Sequence, residues 1–78
     1  MADVTVRFWA GAAHAAGHDE ESISAKTVGE LRTALGSRSA LQKICVVASI
    51  LVDGQIAGEA TKLQDGAVVD LLPPFAGG

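Results

Sequence analysis

The chain ends Leu71-Leu72-Pro73-Pro74-Phe75-Ala76-Gly77-Gly78. Proline cannot donate to a strand ladder, so Pro73 and Pro74 stop the strand before them. Residues 75–78 are therefore expected to project as a stalk. The two prolines stiffen its base toward polyproline II, and Gly77 and Gly78 leave its tip free and without side chains. A narrow, bare end of this kind suits threading into another protein's active site. The group it would deliver is the carboxylate of Gly78. Two terminal glycines alone also describe a frayed end. What gives this ending weight is the pattern of elements before it.

The remaining chemistry-bearing residues form no site by spacing. Cys45 is the one cysteine, so a disulfide within the chain is excluded. It opens an apolar run and reads as a buried, inert thiol, because burial raises a thiol's pKa. His14 and His18 are the two histidines, and with a single cysteine they speak against a metal site. They read as residues of a solvated loop, and no metal is expected. Glu20 and Glu21 read as a solvated strand edge. There is no Gly-rich phosphate loop, no Cys-x-x-Cys and no local Ser/His/acid set. A self-contained enzyme is hard to build from these groups, and no bound cofactor is expected.

The chain has 78 residues, 49% of them hydrophobic, and a net charge of −3. A single domain of this size buries only about 60% of its unfolded surface. With no disulfide or metal, packing must support it. A mean hydropathy of +0.32 suggests that part of the apolar surface is meant for a partner. The six basic residues are scattered, so nucleic acid is a poor candidate. No run is long enough to span a membrane. The start Met1-Ala2-Asp3 lacks a secretory signal pattern, and with a lone cysteine this points to a reducing cytoplasm.

Residues 3–9 alternate, with Val4, Val6 and Phe8 facing a core and Asp3, Thr5, Arg7 and Trp9 facing away. Ala10 to Asp19 reads as a loop. Glu20 to Ala25 suits a second strand, forming a hairpin with the first. Thr27-Val28-Gly29-Glu30 reads as a capping box, Glu30 reaching back to the cap's own amide. Val28, Leu31, Ala34 and Leu35 continue it as a helix, ended by Gly36 in a left-handed conformation. Ser39 to Ile44 reads as a short helical turn, and Cys45 to Val52 as a central strand. Asp53-Gly54 is a hairpin turn, with Ile56 and Ala57 on an edge segment. Leu63-Gln64-Asp65-Gly66 is a further turn, and Ala67 to Leu72 the last strand. Two hairpins joined by a crossover helix, with the outer strands free to pair centrally, describe an α+β, β-grasp (ubiquitin-like) fold. The domain would cover residues 1–74 and the tail 75–78.

On these residues the chain resembles the MoaD/ThiS family of sulfur carriers nearly end to end. Val4-Thr5-Val6-Arg7-Phe8-Trp9-Ala10 is similar to that family's first strand. Thr27-Val28-Gly29-Glu30-Leu31 is similar to its helix start. Leu63-Gln64-Asp65-Gly66 and Leu71–Gly78 are similar to its last turn, strand and tail. The Pro-Pro-x-small-Gly-Gly ending favours the molybdopterin-synthase branch over the thiamine branch. Phe75 departs from the smaller aliphatic residue often found at its position.

The resemblance implies a mechanism. An E1-like enzyme would use ATP to adenylate the Gly78 carboxylate, and a sulfur donor protein would convert it to a thiocarboxylate. The tail (Phe75, Ala76, Gly77, Gly78) would then enter a MoaE-like large synthase subunit and give its sulfur to a pterin precursor. Docking would use the sheet face opposite the helix. Trp9 and Leu72 project there by strand parity, and Ile56 lies just past the adjacent hairpin turn. Three rival readings remain open at this point: a carrier for thiamine or cysteine synthesis, a ubiquitin-like modifier joined to lysines through Gly78, and a β-grasp interaction module with an inert tail.

Overall fold

The computed structural model of the chain describes residues 1–74. The expected tail residues Phe75, Ala76, Gly77 and Gly78 lie outside them. Among the described residues five strands form one sheet in the order β2-β1-β5-β3-β4. They are β1 (Ala2–Phe8), β2 (Glu20–Ala25), β3 (Ser49–Val52), β4 (Gln55–Ile56) and β5 (Val68–Leu72). Three helices accompany them: α1 (Gly11–Ala16), α2 (Val28–Gly36) and α3 (Gln42–Val47). β1 pairs antiparallel with β2 and parallel with β5, and β3 pairs antiparallel with both β5 and β4. This mixed sheet with helices on one face is the β-grasp arrangement.

Period-two alternation explains the core. Val4, Val6 and Phe8 of β1 are buried, as are Val69 and Leu71 of β5 and Ile50 of β3. They meet Val28, Leu31 and Leu35 of α2, and Leu41 and Cys45 at α3, in one cluster. The hairpin turn between β3 and β4 has Asp53 at φ 49° and Gly54 at φ 85°. Both residues are left-handed, which suits a two-residue turn and favours Asp-Gly.

Five local expectations are corrected. Residues 11–16 form helix α1 rather than loop. Its alanines are the best helix formers, and Gly17 at φ 85° supplies the left-handed stop. Cys45, Val46 and Val47 belong to α3, so the strand begins only at Ser49. A continuous apolar run carries no period to separate strand from helix. The burial of Leu41 and Cys45, one helical turn apart, decides it for helix. Arg32 on α2 reinforces that outcome: its Nη1 donates to the carbonyl of Cys45 and, at 2.9 Å, to that of Ala48, where α3 ends.

The other three corrections concern α2. Ala34 is exposed rather than part of the apolar stripe. Gly36 is the last helical residue, and the C-cap is Ser37 in a right-handed conformation (φ −72°). The chain does not break away after Gly36; it continues through further turns into α3, with Ser37 N donating to Thr33 O and Leu41 N to Arg38 O. The N-terminus follows the expected pattern with one shift. Thr27 Oγ1 accepts from Glu30 N at 3.2 Å, but Glu30 Oε1 accepts from Lys26 N, one residue before the cap.

Leu31 is fully buried between α2 and the sheet, whereas Val46 is 76% exposed. Leu31→Ala should destabilise the domain by about 2–5 kcal/mol, and Val46→Ser by no more than about 0.5 kcal/mol. Urea denaturation of the two variants checks the contrast; equal midpoints would contradict the placement of both residues.

Candidate docking face and tail root

The sheet face opposite the helices carries the alternate residues of each strand. Cross-strand register puts Arg7 opposite Asp70, Asp70 opposite Leu51, and Leu51 opposite Ile56. Paired residues point to the same side of a sheet, so these form one row. Leu72 shares the face with Asp70 by alternation. Trp9 follows directly on β1, and its backbone N–H donates to Leu71 O at 3.3 Å. The three apolar residues named from sequence, Trp9, Leu72 and Ile56, are thus brought to one face. Trp9 is 46% exposed, Ile56 is 81% exposed, and Leu72 is half-buried. The chain leaves this face through Pro73, half-buried, and Pro74, exposed.

At the centre of the face is a polar network that sequence reasoning missed. Asp70 is the buried charged residue among those described, 6% exposed. Its Oδ1 accepts from Arg7 Nε at 2.7 Å and from Trp9 Nε1 at 2.8 Å, and its Oδ2 accepts from Arg7 Nη2 at 3.1 Å. The Arg7 guanidinium carbon lies 5.6 Å from the Trp9 ring centroid, within cation–π range. The hydrogen bond from Arg7 holds the Asp70 carboxyl below its usual range, outweighing burial, and the Trp9 N–H adds to it. The same contact raises the Arg7 pKa. Arg7, Trp9 and Asp70 therefore form one hydrogen-bonded unit that orients the exposed indole. An Asp at an alternate position of an apolar strand was the available signal. Its partners could not be read, because they lie about sixty residues away across a pairing whose register is tertiary.

The remaining candidates lie elsewhere. Cys45 is 2% exposed, and burial raises its thiol pKa. His14 sits exposed on α1 rather than in a loop. His18 Nε2 lies 2.5 Å from Glu21 Oε1, and its ring packs edge-on to Phe8 with centroids 5.8 Å apart. Glu21 also accepts from both Nη atoms of Arg38, which ties β2 to the segment after α2. The Arg38 contact, with help from His18, lowers the Glu21 pKa to about 2. Glu20 is exposed on its strand. Among the described residues no three His, Cys, Asp or Glu side chains converge as a metal site would need, and no helix is long and apolar enough to cross a membrane.

The fold defines a ubiquitin-like protein of the β-grasp class. The ThiS family model matches residues 6–78, and the chain belongs to that family. Among solved structures, a chain of the complex of subunits 1 and 2 of molybdopterin-converting factor from Helicobacter pylori is 31% identical, with a TM-score of 0.76. That match covers 97% of this chain and 99% of the other. The Pyrococcus furiosus protein assigned as molybdopterin converting factor subunit 1 is 25% identical, with a TM-score of 0.86, over 96% of this chain and 100% of the other. Small archaeal modifier protein 1 from Methanosarcina acetivorans is 28% identical, with a TM-score of 0.84, over 100% of this chain and 98% of the other. A comparison with curated proteins returns no significant match.

Both depressed carboxyls set an acid limit on stability. A lowered folded pKa contributes stability that is complete above the unfolded value and is lost as pH falls through the folded one. The unfolded values are 3.8 for Asp70 and 4.5 for Glu21. The urea midpoint should therefore hold from neutral pH to about pH 5 and decline toward about pH 2. Asp70→Asn and Glu21→Gln should each flatten part of the decline. A wild-type midpoint unchanged down to pH 2 would rule out the linkage.

Proposed function

We propose that this protein is the sulfur-carrying small subunit of a molybdopterin synthase. The observation that carries the reading is the end-to-end likeness to a chain of the subunit 1–subunit 2 complex of molybdopterin-converting factor. The apolar residues gathered beside the tail root support it. Trp9, Leu72 and Ile56 offer a partner a docking face from which residues 75–78 extend into its active site.

On this reading the reacting group is the Gly78 carboxylate. A carboxylate is a poor electrophile, because resonance stabilises it and oxide is a bad leaving group. An E1-like enzyme transfers AMP from ATP onto one carboxylate oxygen and releases pyrophosphate. The terminal sulfur of a donor protein's persulfide then displaces AMP, giving an acyl disulfide. A thiol reduces the S–S bond and leaves Gly78 as a thiocarboxylate. Its sulfur is ionised and soft near neutral pH, as a thiolate is. Tail insertion into a MoaE-like large subunit holds that sulfur against the pterin precursor, and the gain is one of proximity. The chain supplies the sulfur and the docking face, the partner supplies the pocket, and the whole cycle takes place in the cytoplasm.

A second reading has its own support. The likeness to small archaeal modifier protein 1 covers the whole chain. A modifier would share the adenylation step and then transfer Gly78 to an amine of a target protein.

The decisive measurement is intact mass after incubation with ATP, the matching E1-like enzyme and a persulfide donor, followed by a thiol reductant that cleaves any acyl disulfide. Replacement of one oxygen by sulfur, lost on deletion of Gly78, is the expected outcome. A protein-sized adduct would instead establish the modifier reading, and no change would reject both. Trp9→Ala should weaken binding to the large subunit by at least about tenfold while leaving the fold intact by circular dichroism. Wild-type affinity in a titration would remove Trp9 from the interface.

A further inference from the structure

The face assigned above to the partner is not apolar at its centre, and its charge is asymmetric. Asp70 is engaged from within: both its oxygens accept from Arg7, Oδ1 also accepts from Trp9, and it is 6% exposed. Arg7 is only half engaged. A guanidinium carries five N–H groups, and a planar cation of this shape offers two forks. The side fork of Arg7, Nε with Nη2, is closed on Asp70. Among the described residues no acceptor meets the end fork, Nη1 with the second Nη2 hydrogen, and the side chain is 45% exposed. Glu20 lies opposite Arg7 across the β1–β2 pair but makes no hydrogen bond to it among the described residues. Trp9 lies against the guanidinium and helps fix its plane.

A partner that covers Trp9, Leu72 and Ile56 must also cover Arg7, which shares their face. Covering it strips water from the end fork, and buried donors without an acceptor are costly. A purely apolar partner surface is therefore a poor match. A carboxylate is the complement that fits, since it closes a guanidinium fork with two parallel charge-assisted hydrogen bonds. We propose that the enzyme surface docking on this face presents an Asp or Glu side chain to the end fork of Arg7, ringed by apolar groups that cover Trp9, Leu72 and Ile56. The proposal rests on the docking reading above and adds the chemistry of the partner. It makes Arg7 a specificity residue: the carrier is sorted toward enzymes with an acid at that point, and a partner lacking one is penalised.

The test is a sign test. The double variant Arg7→Leu/Asp70→Asn removes the ion pair and keeps an amide oxygen at position 70 to accept from Trp9. Its binding to the large molybdopterin-synthase subunit of the same organism is compared with wild type by calorimetry at low and high salt. With an acid opposite Arg7, the variant leaves that acid unpaired, so Kd should rise at least about tenfold and lose salt dependence. Against an apolar surface the added leucine would bind as well or better, and unchanged or tighter binding overturns the proposal. If the double variant fails to fold, Arg7→Lys serves, because it keeps the charge beside Asp70 but has no fork. A Kd raised several-fold supports the proposal, and a wild-type Kd overturns it. Wild-type protein that does not bind the large subunit would overturn the docking reading itself.

Discussion

The parallel ladder between β1 and β5 is the contact on which the rest of the molecule depends. It joins the two ends of the described chain at the middle of the sheet, with Thr5 opposite Val68 and Phe8 opposite Leu71. A parallel pair cannot be closed by a tight turn and needs a crossover connection. Here everything from β2 to β4 serves as that connection. The register also fixes which side chains meet on each face. A slip of one residue would turn Val69 and Leu71 outward and break the Arg7–Asp70 pairing together. The same ladder sets the tail root beside Trp9, so the geometry of the exit and the integrity of the core have one cause.

The two faces of the sheet answer different physical demands. The helix side is closed by Val4, Val6, Phe8, Ile50, Val69 and Leu71 against α2 and α3, with burial as its stabilising term. The other side keeps large apolar groups in water and holds a carboxylate nearly out of it. A charge so placed is tolerated only when it is paired and hydrogen-bonded, and Arg7 and Trp9 supply Asp70 with a counter-charge and three hydrogen bonds. The result is a rigid exposed indole on a strand end. A rigid anchor loses less side-chain entropy on binding than a free one. Beyond its contribution to stability above the acid range, the network preorganises a surface.

The structures this chain resembles include both a chain of the converting-factor complex and a modifier protein, so one scaffold serves both. The fold therefore does not by itself separate sulfur donation from conjugation. On the proposed function, the surface around the tail root is where a partner enzyme would recognise the carrier. The Arg7–Asp70 pair puts a polar, directional element into a surface that would otherwise be a plain apolar patch.

The amino-acid sequence alone determined the strand alternation around Val4, Val6 and Phe8, the Thr27 cap, the Asp53-Gly54 turn, the β-grasp order and the class implied by the tail motif. Each is carried by a local rule: period two, capping, turn chemistry, or a terminal motif. Strand parity also placed Trp9 and Leu72 on a common face. Other features were decided only in three dimensions. The run Cys45–Val52 has no polar residue to mark a period until Ser49, so packing of Leu41 and Cys45 and the reach of Arg32 chose where helix gives way to strand. The alanine-rich segment after Trp9 has no apolar stripe to mark a helix, yet burial of Ala12 beside β1 makes it one. The Arg7–Asp70–Trp9 network needed the β1–β5 register, which no local pattern encodes. Side-chain chemistry was legible wherever its partners were near in sequence, and tertiary structure decided it wherever they were some sixty residues apart.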